Sequence, residues 1–352
     1  MVYFKVCPQA PCRGPTSINS RRRMDFPQIQ SELRTEIDRL NVMIREALKV
    51  DMPILQRIVD EYLISKGKQI RPIMVLLSAM LTMEEAGCEP EVSDRVLHAG
   101  AALELLHNAS LIHDDVVDES KRRRGLPTIN AVWDNHIAVL TGDFFVSKAL
   151  AEAVKTGSME AISYISELGR ELSLGEINQI CVARFHELSE EEYFRTIYKK
   201  TACLFINCAR LGSLTAGASA EEAASLVSYA EAMGICFQIK DDIFDYLEKD
   251  VGKPTGNDLR EGKVTLPLLH ALRTAPQEAS RPMYDLLEKD ELSADDIARL
   301  IAFAKEYDGI AYAYSVMEDM RSKAAPLIMH YPDCRARRAL EEIFNYIIAR
   351  DY

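Results

Sequence analysis

Apolar residues return every three or four positions along most of the chain. Ile29, Leu33, Ile37, Leu40, Ile44 and Leu48 mark one face of a first helix. The stretch "SKGKQIRP" (65–72) interrupts it, with Gly67 and Pro72 as breakers, and "IMVLLSAMLTM" resumes the period. "GCEPEVSD" (87–94) reads as a turn with Ser93 as the N-cap of the next helix. That helix runs through "RVLHAGAALELLHNASLIHDDVVD" and is broken by "KRRRGLPT". Between Pro127 and Pro254 there is no proline, no alternating strand segment and no Asn-Gly hairpin signal. "EKDVGKPTGNDLREGK" (248–263) is the one long polar loop. The pattern predicts an all-α fold, a single large helical bundle over residues 24–352. Residues 1–23 carry no period and read as a disordered N-terminal extension, with Met24 opening the first periodic segment.

Composition narrows the function classes. Formal net charge is −12, from 42 basic and 54 acidic residues, with no basic stripe, which argues against a nucleic-acid partner. An acidic protein that binds an anion needs local cations or bound metal to overcome its own field. Eight cysteines show no CxxC spacing. Cys181, Cys203, Cys208 and Cys236 lie in apolar helical context and read as small core residues, which suits a reducing, cytoplasmic compartment. No apolar run reaches the ~18 residues of a membrane-spanning helix.

Against that background "ASLIHDDVVDES" (109–120) is costly, because three carboxylates follow an apolar run. "QIKDDIFDYLEKD" repeats the arrangement with Asp241, Asp242 and Asp245. On a helix Asp114 stacks with Asp118, and Asp241 with Asp245; Asp115 and Asp242 lie ~100° round. Such crowding is tolerable when a hard divalent cation neutralises it, and oxygen-only ligands select Mg²⁺ or Ca²⁺ over Zn²⁺. Cations stand nearby: Lys68 and Arg71 in the Gly/Pro-punctuated loop, Lys121 to Arg124 after the first cluster, Lys200 in "YKKTACLF" and Lys253 in "VGKPTGND". Lys and Arg beside metal-binding carboxylates are what a diphosphate requires. Lys199 and Arg122 read as surface charges.

Taken in order, "GKQIRP", "LIHDDVVDES" with "RRGLPT", "GEINQI", "KTACLF", and "FQIKDDIFDY" with "GKPTGNDLREGKVTLPL" resemble the trans (E)-isoprenyl diphosphate synthases, or polyprenyl synthetases, octaprenyl-type members included. The resemblance spans about Ser65 to Leu268. It implies helices around a deep central cavity, an isoprenoid synthase-like fold. It also implies head-to-tail condensation of isopentenyl diphosphate with an allylic diphosphate, whose leaving diphosphate generates a carbocation. By this resemblance Asp114, Asp115, Asp118, Asp241, Asp242 and Asp245 act through Mg²⁺ on the allylic diphosphate, touched also by Arg123, Lys200 and Lys253. Lys68, Arg71, His107 and Arg124 would hold isopentenyl diphosphate. Thr201 and Gln238 would sit beside the reacting carbons. His107 lies seven residues before Asp114, on nearly the same face, whereas His113 reads as a packing residue. Arg350, near the C-terminus, is carried over as a closing cation. Two departures from the family's Gly-Gly-Lys-Arg loop stand out: Lys66 replaces a glycine and Gln69 an arginine. The family further implies a homodimer, and a lipid product implies transient membrane-surface contact at release.

Ala109 and Ser110, five and four residues before Asp114, are small where short-chain members place an aromatic floor. The growing tail then continues past Leu105 and Leu106, each buried CH₂ adding ~0.8 kcal/mol, which favours a long all-trans product. The alternatives are a short-chain (farnesyl or geranylgeranyl) synthase, a terpene cyclase, a non-catalytic subunit of a heteromeric synthase and an acidic metal scaffold. Lys68, Arg71 and Arg124 argue against a cyclase. Two complete Asp clusters with Lys200 argue against a non-catalytic subunit. The "RRG" and "GKPTGND" stretches have no use in a scaffold.

Overall fold

The six in-phase apolar residues named above, Ile29 through Leu48, are all buried, but the face is split between two helices: α1 (Phe26–Glu32) and α2 (Arg34–Ala47) meet at Leu33, whose ψ of 13° breaks the spiral. The computed structural model describes residues 25–64, 67–185, 188–247, 255–289 and 291–350, so the expected extension over 1–23 lies outside the described residues. α3 (Pro53–Tyr62) and α4 (Ile70–Glu85) follow. Pro72 does not end a helix but sits in the first turn of α4, where its missing N–H costs nothing. α5 (Asp94–Val117) starts after Ser93, although the Ser93 side chain makes no cap bond. Beyond α5, β1 (Arg122–Arg123) pairs antiparallel with β2 (Leu126–Pro127). Arg124 and Gly125 turn the hairpin with φ of 50° and 78°, as a two-residue primed turn demands.

Next come α6 (Ile129–Val132), α7 (Asn135–Lys155), α8 (Met159–Phe185) and α9 (Glu190–Ile197). A π-helical turn over Tyr198–Ala202 leads into α10 (Cys203–Thr215), then α11 (Ala224–Phe244). The polar loop is partly helical, as α12 (Asn257–Arg260). α13 (Leu266–Thr274), α14 (Gln277–Leu287), α15 (Ala294–Glu306), α16 (Gly309–Met329) and α17 (Arg335–Ala349) complete the all-α bundle.

α5 is its axis. Val96, Ala99, Leu103, Leu105, Ala109 and Ile112 point to different sides and are all buried, which is how a core helix reads. It packs on α2, α4, α7, α8 and α10. α4 and α10 approach closely because Gly212 lacks a Cβ: one added there would lie 2.4 Å from the Val75 carbonyl oxygen. A second, smaller core under α12 to α15 buries Leu259, Leu268, Leu272 and Leu300, each worth ~1.5–3 kcal/mol. It holds the end of the polar loop against the mouth of the bundle. Cys203, Cys208 and Cys236 are buried as the pattern suggests, but Cys181 is exposed. It stands on the outward side of α8 with Ile177 and Ile180, which are also exposed. Among the described residues no helix is long and apolar enough to cross a membrane.

Candidate active site

Two helix ends bring the acidic clusters to one mouth. Asp114 and Asp115 close α5, with Asp118 as its C-cap; Asp241 and Asp242 close α11, with Asp245 as its C-cap. A cavity of about 540 Å³ holds Asp241, Asp242 and Asp245 together with Lys68, Arg71, His107, Arg124 and Gln238. A smaller recess shares Gln238 and Asp242 with it and adds Lys200 and Lys263. A third shares Gln179 and Lys263 with the second and reaches Asp118. The three recesses adjoin through shared lining residues, with Lys200 and Lys263 between the α11 cluster and Asp118.

On the α5 side the Arg123 Nε and Nη2 atoms each lie 2.8 Å from Asp115 Oδ1, so the hairpin is tied to the cluster by charge. Asn130 donates to the Asp115 carbonyl at 3.0 Å and fixes the same hairpin from below. Asp114 is pushed up to about 6 by burial, against the pull of Lys200. Asp118 lies 3.6 Å from Lys263 Nζ. On the α11 side buried Asp242 accepts from Tyr193 Oη at 2.6 Å and Gln238 Nε2 at 2.7 Å. Burial and the nearby Asp258 carboxylate still raise its pKa well above the ordinary value. Asp245 accepts from the backbone N–H groups of Asn257 and Asp258 at 2.9 and 3.0 Å. Asp258 is itself pushed up to about 7, first by burial and then by Asp245, with Lys263 and Lys200 opposing.

Lys200 stands between the clusters. The π-helical turn re-aims it, a common device at functional sites, so that Nζ meets Glu176 at 2.7 Å and Gln179 at 2.6 Å on α8. Thr201 donates to Gln238 Oε1 at 2.5 Å, and Gln238 in turn donates to Asp242. This chain fixes which way the Gln238 amide points.

Deeper in the cavity is a cationic wall. Gly67 and Gln69 both take positive φ, 58° and 50°. Gly67 makes room for Arg124, whose Cζ would be 2.8 Å from an added Cβ. Gln69 trades side-chain bonds with Asn41 of α2, a role an arginine would fill differently. His107 is buried, its Nδ1 has no partner among the described residues, and burial plus Arg71 and Arg124 depress its pKa well below the usual value. It lines the cavity as a neutral imidazole. Glu104 lies beside it.

Arg350 Nη2 donates to Asp241 Oδ1 at 2.6 Å and to the Phe237 carbonyl at 3.1 Å, and its guanidinium stacks on Phe237. His113 packs into α7, 3.2 Å from the Val139 carbonyl, as a packing residue does. Arg122 is exposed and bonds only its own turn, at Gly125, among the described residues. Ala109 is buried; Ser110 is half-buried and donates to the His107 carbonyl. Lys253 and Lys66 lie outside the described residues.

Sequence reasoning missed Asp258, Lys263, Glu176, Gln179, Tyr193 and Glu104. Asp258 and Lys263 follow the second cluster at spacings that no helix face relates, and Tyr193 comes from a distant helix. Among the described residues no three acidic, His or Cys side chains converge on one ion position. Asp115, Asp118, Asp241, Asp242 and Asp245 are each turned toward a cation or donor of the chain itself. The donor set nonetheless fits Mg²⁺: it is all carboxylate oxygen, and burial makes its charge costly without a cation.

A model of the polyprenyl synthetase family matches residues 52–304. Heptaprenyl diphosphate synthase component 2 of Bacillus subtilis (strain 168) is 34% identical over 331 residues, 94% of this chain and 92% of its own. The structure of a polyprenyl synthase from Caulobacter crescentus CB15, complexed with calcium and isoprenyl diphosphate, superposes with a TM-score of 0.82 at 29% identity, covering 94% and 99% of the two chains. A geranylgeranyl pyrophosphate synthase from Bacteroides thetaiotaomicron gives a TM-score of 0.77 at 37% identity, covering 92% and 98%.

Proposed function

The chain belongs to the polyprenyl synthetase family and is a prenyltransferase, and from that premise we propose that it uses Mg²⁺ to condense isopentenyl diphosphate with an allylic diphosphate, head to tail, into a long all-trans polyprenyl diphosphate. What supports this reading is the run of adjoining recesses along which the α11 cluster, Lys200, Lys263 and Asp118 follow one another.

Bound by the aspartates, Mg²⁺ would supply Lewis-acid stabilisation of charge on a departing diphosphate. Lys200 and Arg123 add fixed positive charge to the same diphosphate, and Lys253 would join them. Lys68, Arg71 and Arg124, with neutral His107, hold the second diphosphate without metal. The Thr201–Gln238 pair presents oriented dipoles to the cationic carbons, and being already bonded it reorganises little during reaction. The apolar faces of Phe237 and Phe244 help exclude water that would quench the cation.

Product length follows from α5 and α8. The two run side by side: Glu176 lies near Asp114, and Leu106 lies 3.8 Å from where a Cβ on Gly169 would sit. Below Asp114 the chain therefore meets Ser110, then Leu106 across from a glycine. No aromatic side chain stands at 109 or 110 to stop it. The heptaprenyl relative favours a long product and the geranylgeranyl relative a shorter one.

The test is to supply the purified chain alone with labelled isopentenyl diphosphate, Mg²⁺ and each allylic primer, then size the extracted prenols. Products beyond 20 carbons are expected, and Ser110→Phe is expected to shorten them by at least one isoprene unit. No condensation by the chain alone would return the protein to a heteromeric or non-catalytic role. An unchanged length in Ser110→Phe would rule out this gate.

A further inference from the structure

We propose, on the premise of the Mg²⁺-dependent reading above, that Tyr193 is a positioning residue: reaching across from α9, its phenol sets the orientation of the Asp242 carboxylate, keeps Lys200 in phase with it, and so governs how tightly Mg²⁺ and a diphosphate are held together. Tyr193 is buried and lines the recess of about 110 Å³ that also holds Lys200, Lys263, Gln238 and Asp242. Its Oη lies 2.6 Å from Asp242 Oδ2. A phenol keeps its proton at neutral pH, and burial beside Asp242 pushes this one further up, so Tyr193 is the donor.

Gln238 Nε2 takes the other oxygen, Oδ1, at 2.7 Å. Two donors in fixed directions leave the carboxyl group one plane to lie in. Each carboxylate oxygen has two lone pairs, so each keeps one for a cation. The two donors differ in what they fix. Gln238 stands one turn back on α11 and moves with Asp242. Tyr193 comes from α9, so among the described residues it is the one donor that ties this carboxylate to another helix. Removing the partner that orients a metal-binding carboxylate typically costs ~10- to 100-fold in metal affinity or activity.

The same segment carries Lys200. α9 runs directly into the π-helical turn over Tyr198–Ala202, where Thr201 donates to Gln238 Oε1 at 2.5 Å. The segment is thus pinned to α11 at Tyr193–Asp242 and at Thr201–Gln238, and Lys200 stands between the two pins in sequence. Cutting the first pin frees the carboxylate to turn and leaves the Lys200 turn held from one side. α9 has a separate anchor at its start. Glu190 accepts from Tyr312 Oη at 3.1 Å and pairs with Arg273 at 3.2 Å. Those partners stand on α16 and α13, not in either aspartate cluster. The two anchors of one helix can therefore be cut independently.

The test is calorimetric titration of the full chain with inorganic diphosphate, with and without Mg²⁺. Tyr193→Phe keeps the ring and its edge contact with Phe194, centroids 5.4 Å apart, and deletes only the donor. It is expected to weaken Mg²⁺-dependent diphosphate binding about tenfold. The Mg²⁺ concentration for half-maximal turnover rises by a similar factor, while the KM for isopentenyl diphosphate stays within twofold of the parent. Tyr312→Phe cuts the other anchor of α9 and is expected to move none of these. Tyr193→4-aminophenylalanine puts a donor back at the same ring position and is expected to restore binding to within threefold of the parent. Parent-like binding in Tyr193→Phe overturns the proposal. So does an equal loss in Tyr312→Phe, which would mean that loosening α9 is enough, and so does a failure of the amino ring to restore binding. Diphosphate binding by the parent that ignores Mg²⁺ would overturn the premise as well, and is seen before any variant is made.

Discussion

Asp242→Asn is expected to lower condensation turnover by ~10²- to 10³-fold while leaving the helical content intact. The substitution keeps the shape and removes the charge. Asp242 is buried and accepts from Tyr193 at 2.6 Å and Gln238 at 2.7 Å. An amide keeps the Tyr193 bond through its oxygen, but its NH₂ then opposes the Gln238 donor. Gln238 must turn, and its bond with Thr201, at 2.5 Å in the parent chain, then runs the other way, from the amide NH₂ to the hydroxyl. One atom change thus removes a carboxylate from the site and reverses the dipole pair beside it. A variant within tenfold of the parent rate would mean that the α11 cluster is not where charge develops.

Gly212→Ala is expected to destabilise the fold by about 3 kcal/mol in urea unfolding, near the upper end for overpacking. The added methyl would meet backbone rather than flexible side chain: the Val75 carbonyl oxygen at 2.4 Å and the Ala79 nitrogen at 3.1 Å. Neither can rotate away, so α4 and α10 must separate. The loss is a large share of the ~5–15 kcal/mol that holds a typical domain together. The effect reaches the site as well. Arg71 stands in the first turn of α4, and Lys200 and Thr201 stand just before α10, so separating these helices moves one diphosphate's cations relative to the other's. A cost under 1 kcal/mol would show that the crossing tolerates a wider spacing.

The helical pattern was legible because most helices keep one apolar face. α5 was read as a helix, whereas its burial on every side emerges only from the packing around it. The break at Leu33 was not legible, since Leu33 is itself apolar and in phase, and only its backbone angles separate α1 from α2. Cys181 was misplaced for a related reason: α8 carries Ile177 and Ile180 on its outward side, so apolar neighbours did not mean burial. The aspartate clusters could be read because i and i+4 spacing puts carboxylates together without any knowledge of the fold. Asp258, Lys263 and Tyr193 reach the same hollow only through tertiary packing of α9, α12 and the smaller core, which leaves no local periodic trace. The π-helical turn that aims Lys200 likewise has no signature in "YKKTA". Arg350 was suggested by family resemblance alone, and its bond to Asp241 gives that suggestion a specific partner.

Calorimetric titration with inorganic diphosphate, run with Mg²⁺ and with chelator on the parent chain, Asp114→Asn and Asp242→Asn, tests most directly whether two distant helix ends share one ion-bridged anion. Binding that needs Mg²⁺ and weakens at least tenfold when either aspartate is neutralised is the predicted result. Equal binding in chelator, or full affinity after loss of one cluster, would contradict it.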